Sequence, residues 1–442
     1  MRRFTLLLPL LALAAPAAAQ TTTSAAAAAT PVQPAKEFRD RVNQLPDILS
    51  GKGDYDATFS ETFRAQIPKA RFDQVRAQLD AAGGAYSDLQ HLEAKTPWSG
   101  TVTVEYRDAI VTMAITVDPA GDHRIVGLLV QGLTAREATL DAVGAAIRGL
   151  KGNTGYVLAK LGSGAPQILQ QHHADHAFAI GSEFKLVILA ELIRATNAGE
   201  RTWDDLVTLD GTELPGGGYT QKPAGTKVPL RELATQMISI SDNSATDILL
   251  ATLGRQRVEA MMPVLGIADP ARNRPFLGTG ELFKLKTIPA LRDRYLAANE
   301  AGRRALLAGE VAATPISKVD VGLFSAGKPL SIETLEWFET PSDLVRVMDW
   351  IRRNTEGPKG ADARAILSKN PGIPPLAAGK WRYVGYKGGS EPGVMAMTLL
   401  LQAKDGSWQI LSASWNDPTQ DIEQGRFAGL VGKAAELAAP PQ

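Results

Sequence analysis

The stretch Ile180-Gly181-Ser182-Glu183-Phe184-Lys185-Leu186-Val187-Ile188-Leu189-Ala190-Glu191-Leu192 constrains this chain more than any other. Phe184, Leu186, Val187, Ile188, Leu189 and Leu192 surround a helix on almost every side, and a helix without a polar face belongs inside a core. Ser182 stands where that helix begins, near the positive end of its dipole and near backbone N–H groups that lack helical partners. Lys185 follows three residues later on the same face, within side-chain reach of Ser182. Burial disfavours the charged form of a lysine, and a desolvated amine can take a proton from a serine. The same spacing also fits a Ser182 that only caps the helix and a Lys185 that snorkels outward. A second S-x-x-K, Ser325-Ala326-Gly327-Lys328, is spoiled as a helix start by Gly327 and the following Pro329.

At 442 residues the chain has room for two or three domains with full cores. Lys+Arg and Asp+Glu balance at 47 each, which gives no footing to a nucleic-acid or acidic-membrane partner. Arg2-Arg3, an apolar run over residues 4–19 and Ala17-Ala18-Ala19 before Gln20 read as a cleavable export signal over residues 1–19, with a faint twin-arginine flavour. No later stretch is long and apolar enough to span a membrane, so the mature chain is expected to be soluble and periplasmic or secreted. The absence of cysteine excludes disulfides, thiol catalysis and a lipid-modified cysteine.

Residues 20–35, rich in Ala, Thr and Pro, read as a flexible leader. Residues 36–133 form a first module. Phe38, Val42, Leu45 and Ile48, then Phe72, Val75 and Leu79, recur at helical spacing, and Gly83-Gly84 ends that pattern. Three strands are expected next, at 100–106, 109–117 and 125–131. Helices followed by an antiparallel meander make a small α+β domain. Its order resembles the cone-shaped nuclear-transport-factor-2-like domains; with no cluster of catalytic residue types, a spacer or docking role is the expectation. A helical connector over 135–150 leads to a hairpin, 155–161 with 167–171. The Ser182 helix, a long helical region to about 353, strands at 383–387, 395–402 and 408–415, and a last helix near 419–437 follow. The second module, 135–437, is thus also α+β: one antiparallel sheet flanked by helices, with a helical subdomain inserted.

Two further groups bear on Ser182. Ser241-Asp242-Asn243 follows a helical 230–240 and precedes another helical run; as a bare triplet it is also a common turn or cap. Lys387-Gly388-Gly389-Ser390 stands at the end of a strand, and its glycines let backbone N–H groups approach a ligand, though Lys-Gly-Gly is also an ordinary way out of an edge strand. With S-x-x-K at 182–185, and in this order, the three groups resemble the serine β-lactamase and penicillin-binding protein superfamily, class A β-lactamases most closely. The longer match is Met237-Ile238-Ser239-Ile240-Ser241-Asp242-Asn243-Ser244-Ala245-Thr246-Asp247-Ile248-Leu249-Leu250, with Thr340-Pro341 opening a helix and Val347-Met348-Asp349-Trp350-Ile351 within it as further landmarks.

The resemblance implies roles. Ser182 is the nucleophile and Lys185 its proton acceptor or relay. Ser241 passes the proton on to the leaving group. Asn243 orients a substrate amide and braces the lysine. Lys387 attracts a substrate carboxylate. Gly388, Gly389 and Ser390 line the substrate, and the N–H groups of Ser182 and Ser390 form an oxyanion hole worth about 3 kcal/mol per donor. A small acyl substrate (a β-lactam, an ester or a peptidoglycan fragment) is the implied partner, and no cofactor is required. Two departures stand out. Gly388 replaces the hydroxyl residue that the family carries after its lysine, a contact Ser390 could partly replace. No E-x-x-L-N glutamate stands between Arg274 and Thr340; Glu310, Glu333, Glu336 and Glu339 have the wrong neighbours. Acylation with slow deacylation is therefore expected. The alternative is a catalytically silent module that binds or senses β-lactams or peptidoglycan.

His172-His173-Ala174-Asp175-His176 resembles the tail of a metal-binding motif whose first histidine is here Gln171. All five histidines lie at or before His176 and there is no cysteine, so a zinc site would lack further ligands downstream. The segment is expected to be a solvated approach to the Ser182 helix.

Overall fold

The computed structural model describes residues 32–441. The export signal expected over residues 1–19 and residues 20–31 of the expected leader lie outside the described residues. The chain divides into two compact units, one ending at Arg136 and the other beginning at Glu137.

In the first unit, short helices at Lys36–Val42, Leu45–Leu49, Tyr55–Thr58 and Glu61–Gln66 precede a longer one at Lys69–Gly83. Asp54 and Ser60 cap the third and fourth of these with side-chain oxygens that accept backbone N–H groups, which restarts the helix where the apolar spacing alone would carry it on. Phe38, Val42, Leu45, Phe59 and Phe63 pack against Val102, Val104, Val111, Met113 and Ile115 of the sheet. That sheet is an antiparallel meander of β1 (Tyr86–Thr96), β2 (Ser99–Tyr106), β3 (Ala109–Val117) and β4 (Ile125–Ala135). The sequence predicts three strands, and β1 is the one it hides. No β1 residue is fully buried, Leu89 and Leu92 stand three apart, and register shifts interrupt the two-residue alternation by which a strand is recognised. β4 runs on to Ala135, so the connector helix is shorter than expected, Leu140–Arg148, and is capped by Thr139.

The second unit is built on β5 (Asn153–Leu161), β6 (Gln167–His172), β11 (Tyr383–Glu391), β12 (Val394–Gln402) and β13 (Trp408–Asn416), fully antiparallel in the order β11-β12-β13-β5-β6. Four short strands, β7 (Phe178–Ala179), β8 (Leu206–Thr208), β9 (Lys227–Pro229) and β10 (Phe338–Glu339), form the pairs β7–β10 and β8–β9. β12 and β13 are buried along nearly their whole length, so helices cover both faces of the sheet. Among them are Pro341–Asn354, opened by a capping box between Thr340 and Asp343, and Gln424–Ala438. The rest is mostly helical. Helices at Leu230–Ser239, Asn243–Leu253, Arg255–Val264 and Thr279–Thr287 surround Lys185–Asn197, in which every residue from Lys185 to Ile193 is buried. The fold is α+β throughout, an antiparallel sheet flanked by helices with a helical subdomain.

Candidate active site

Ser182 sits in a single 3-10 turn, Gly181–Phe184, that passes straight into the helix Lys185–Asn197. Two glycines let the edge strand β11 lie against this turn. Gly181 is left-handed at φ +49°, and a β-carbon there would come within 3.0 Å of Ser390 N. A β-carbon on Gly389 would stand 2.0 Å from Ile180 O and 2.4 Å from Ser182 N, an impossible approach. The backbone amides of Ser182 and Ser390 therefore meet at one junction. Trp337 fixes the turn from the side: its ring stacks flat on Phe184 at 3.6 Å, and its carbonyl accepts Ile180 N–H at 3.0 Å. Nothing in the sequence marks Trp337, because it lies more than 150 residues away in an irregular, acidic stretch.

Lys185 is wholly buried. Its Nζ lies 2.6 Å from Ser241 O, 2.8 Å from Asn243 Oδ1 and 3.0 Å from Ser241 Oγ. Burial, then the charge of Lys387, hold its pKa well below that of an ordinary lysine, against a weaker pull from Asp247 and Asp242. A neutral amine has two N–H groups and one lone pair. Two of its three partners are carbonyl oxygens, which can only accept; the lone pair is left for the third, the hydroxyl of Ser241. On the other side of that hydroxyl stands Lys387 Nζ at 3.1 Å. Lys387 is buried too, which brings its pKa down to about 8 against the pull of Glu183. One serine oxygen thus bridges two amines, one whose pKa burial holds well below that of an ordinary lysine and one able to carry charge below about pH 8.

Ser241 occupies this place with a left-handed backbone, φ +59°, a conformation costing on the order of 1 kcal/mol or more for a residue with a β-carbon. Asp242 holds it there. Its carboxylate accepts Ala245 N–H at 2.7 Å, Gly218 N–H at 2.6 Å and the Ser244 hydroxyl at 2.6 Å, so the acid of the S-D-N triplet caps the helix Asn243–Leu253 and ties in a neighbouring loop.

Lys185, Ser241, Asn243 and Lys387 thus form one hydrogen-bonded cluster, and Gly389 and Ser390 abut the Ser182 turn. The K-G-G-S group lies inside β11 rather than past its end. Along this strand residues 385, 387 and 389 are buried while 386, 388 and 390 are half-open, so Lys387 reaches Ser241 from beneath and the other face looks outward. The histidine segment lies before the turn. His173 Nδ1 is 3.1 Å from Thr154 O, the His172 and His173 rings stack on one another, and His176 sets its edge on Phe178.

Several carboxyls are buried near these elements. Burial pushes Glu183 up to about 8, against the pull of Lys387, and pushes Glu339 well above the carboxylate range. Asp247 rises to about 6 by burial, although it accepts the amides of Thr279 and Gly280 at 2.7 and 2.9 Å.

Over 96 residues the chain is 34% identical to β-lactamase 1 of Streptomyces cacaoi, a match spanning 20% of this chain and 30% of that relative. A β-lactamase structure from Sphaerobacter thermophilus superposes with TM-score 0.46 at 21% identity, covering 69% of this chain and 99% of the other. The structure of PBP-A superposes with TM-score 0.46 at 17% identity, covering 68% and 94%. Residues 136–434 match the model of the β-lactamase enzyme family, leaving the first unit outside. That match runs over more than half of the chain, which therefore belongs to the β-lactamase enzyme family.

Proposed function

We propose that this chain is an exported serine hydrolase, acylated at Ser182 by β-lactam, ester or peptidoglycan-like carbonyl substrates and slow to release the acyl group. The observation that carries this reading is the Ser241 hydroxyl held between two buried amines, 3.0 Å from Lys185 and 3.1 Å from Lys387. Neutral Lys185 takes the Ser182 proton as Oγ attacks the carbonyl carbon, and the developing oxyanion is met by the amides of Ser182 and Ser390. The proton then moves from Lys185 through Ser241 to the leaving nitrogen or oxygen as the carbonyl–leaving-group bond breaks. Asn243 keeps Lys185 aligned, and the Lys387 ammonium favours substrates that carry a carboxylate.

Release of the acyl group needs a base for water, and no E-x-x-L-N glutamate stands between Arg274 and Thr340 to supply one. Asp247 is held by two amides, while burial pushes Glu183 up to about 8 and Glu339 well above the carboxylate range. Slow deacylation follows.

Intact-protein mass after incubation with a penicillin and, separately, with a simple ester tests this. The expected result is an adduct that persists for minutes on the wild type and is absent from Ser182→Ala. Adduct formation at the wild-type rate in Ser182→Ala would overturn the assignment. A permanent adduct with no ester turnover would make the chain a binding or sensing module.

A further inference from the structure

Glu183 stands one residue after Ser182, and both oxygens of its carboxyl are buried without a hydrogen-bond partner among the described residues. The residue is 0% exposed. The turn that carries it lies against β11 and β12. Lys387 of β11, Thr398 of β12 and Ser412 of β13 are successive cross-strand partners, so their side chains share one face of the sheet and make a buried polar row. Thr398 stands beside the Glu183 carboxyl, but its hydroxyl is paired with that of Ser412 at 3.0 Å; Lys387 is the cation that faces the acid. Lys387 in turn is hydrogen-bonded to neutral oxygens, the Ser241 hydroxyl and the Gly388 carbonyl. Three other ionisable groups come close. Glu339 of β10 is pushed well above the carboxylate range by burial and by the charges of Asp343 and Glu183, and burial holds the Tyr386 phenol of β11 above the ordinary tyrosine range. Lys185, which opens the following helix, turns to Ser241 and Asn243 instead. A buried acid without hydrogen bonds costs stability that an apolar side chain of the same size would not. The cation facing it gives that acid a use.

We propose that Glu183 is a positioning residue that keeps Lys387 an ammonium as pH rises, by giving up its own proton to become the counter-charge beside it. The proposal rests on the hydrolase reading and adds to it a group that touches neither substrate nor nucleophile. In a dry interior a lone anion is the costliest state of such a pair, and an ion pair without net charge costs less. Burial raises the acid and lowers the lysine until both lie at about 8. As pH climbs, the first proton leaves Glu183, and the carboxylate so formed holds the second on Lys387. The ammonium therefore stays on the Ser241 hydroxyl at a pH where burial alone would have discharged it. Around Lys185, which must be a free amine, no acid is placed in this way, so one carboxyl separates the working states of two amines that share a serine.

The test uses the full chain as wild type, Glu183→Gln, which keeps the shape but cannot ionise, and Glu183→Leu, which replaces the acid by an apolar side chain. Lys387 is titrated directly by NMR of isotope-labelled lysine, its signal assigned by loss in Lys387→Met. Second-order acylation by a penicillin is followed across pH, and melting midpoints are measured beside it. In both variants Lys387 is expected to titrate about one unit or more below its wild-type position, the effect of losing one adjacent opposite charge. The alkaline limb of the acylation profile should move down by the same amount, while the acidic limb, set by Lys185, stays in place. The melting midpoint of Glu183→Leu should equal or exceed that of the wild type, because an unpartnered buried acid has been removed. A residue with a merely structural role would lower the midpoint and slow acylation evenly at every pH. An unmoved Lys387 titration, an even slowing across pH, or failure of both variants to fold overturns the proposal. If the wild type is never acylated, the hydrolase reading fails; the NMR titration of Lys387 then still decides the role of Glu183.

Discussion

Lys185 and Lys286, two of the three lysines buried in the second unit with Lys387, are held in opposite ways. Lys185 is surrounded by neutral oxygens, from the Ser241 backbone, the Ser241 hydroxyl and the Asn243 amide. Lys286, in the helix Thr279–Thr287, meets Glu336 at 2.5 Å and Glu391 on its other side. Burial lowers the pKa of both. Around Lys286 the charges of the two carboxylates outweigh burial and leave the pKa above that of a free lysine; around Lys185 the charge of Lys387 adds to burial and the pKa drops far below it. Partner identity, not depth, separates a base from a structural cation. The Lys286 cluster holds one cation against two acids, so one carboxyl keeps a proton; burial and the charge of Glu336 push Glu391 well above the usual range. Its location gives it a task. Glu336 precedes Trp337, which braces the Ser182 turn, and Glu391 follows Ser390, so one ammonium joins the two segments that flank this turn.

Removing each ammonium should expose this difference. Lys185→Met leaves two carbonyl oxygens short of a donor and the Ser241 hydroxyl short of an acceptor, but no stranded charge, and it deletes the proposed base. Acylation at Ser182 should fall by about 10³-fold or more while the thermal midpoint moves little. Stopped-flow acylation with a chromogenic β-lactam, beside a melting curve, checks both. A variant that keeps a tenth of the wild-type rate would mean that another group takes the Ser182 proton.

Lys286→Met should do the reverse. It strands two buried acids and is expected to cost about 3 kcal/mol of stability at neutral pH. The sign of the pH dependence follows from the acids. The folded-state pKa of Glu391 lies above the unfolded one, so in the variant the native state retains a proton that the unfolded chain gives up, and stability falls as pH rises above the unfolded value. Urea midpoints for the variant should therefore close on those of the wild type as pH is lowered toward 5. A constant gap between the two would mean that the carboxyls remain charged in the variant.

How much of this is legible in the sequence depends on whether the deciding contact is local. The apolar ring around Lys185 identifies a buried helix, and the companion copy shows why spacing is not enough. Ser325-Ala326-Gly327-Lys328 has the same S-x-x-K pattern, but its helix, Val321–Ser325, ends at the serine, Gly327 turns left-handed at φ +67°, and Lys328 is exposed. Desolvation, not spacing, is what lowers the pKa of Lys185. The motif triplets find their places because each lies on a regular element with its own local signal, a helix start for Ser241-Asp242-Asn243 and a strand for Lys387. Trp337 and Lys286 do not announce themselves. Their roles come from pairings across 50 or more residues, and an isolated tryptophan or lysine at those positions reads as ordinary core or surface. β1 is hidden for the opposite reason: its shifts in register erase the local alternation that would have declared it.

The smallest change that should convert one lysine into the other is Asn243→Asp. The geometry at Nζ is kept, but a neutral oxygen 2.8 Å away becomes a carboxylate oxygen, as around Lys286. An adjacent anion favours the ammonium, so the Lys185 pKa rises toward and past the working pH. Acylation needs the free amine, and each unit by which the pKa exceeds the pH removes about tenfold of it. At pH 7 the variant is expected to acylate about 10- to 100-fold more slowly than the wild type, with a rate that climbs as pH is raised, whereas Lys185→Met stays flat and low. Wild-type acylation of a carboxylate-bearing substrate should instead decline above about pH 8, where Lys387 loses its charge. A pH–rate profile of the Asn243→Asp variant parallel to that of the wild type would show that the partner at this position does not set the protonation state of Lys185, and the contrast with Lys286 would then reduce to packing.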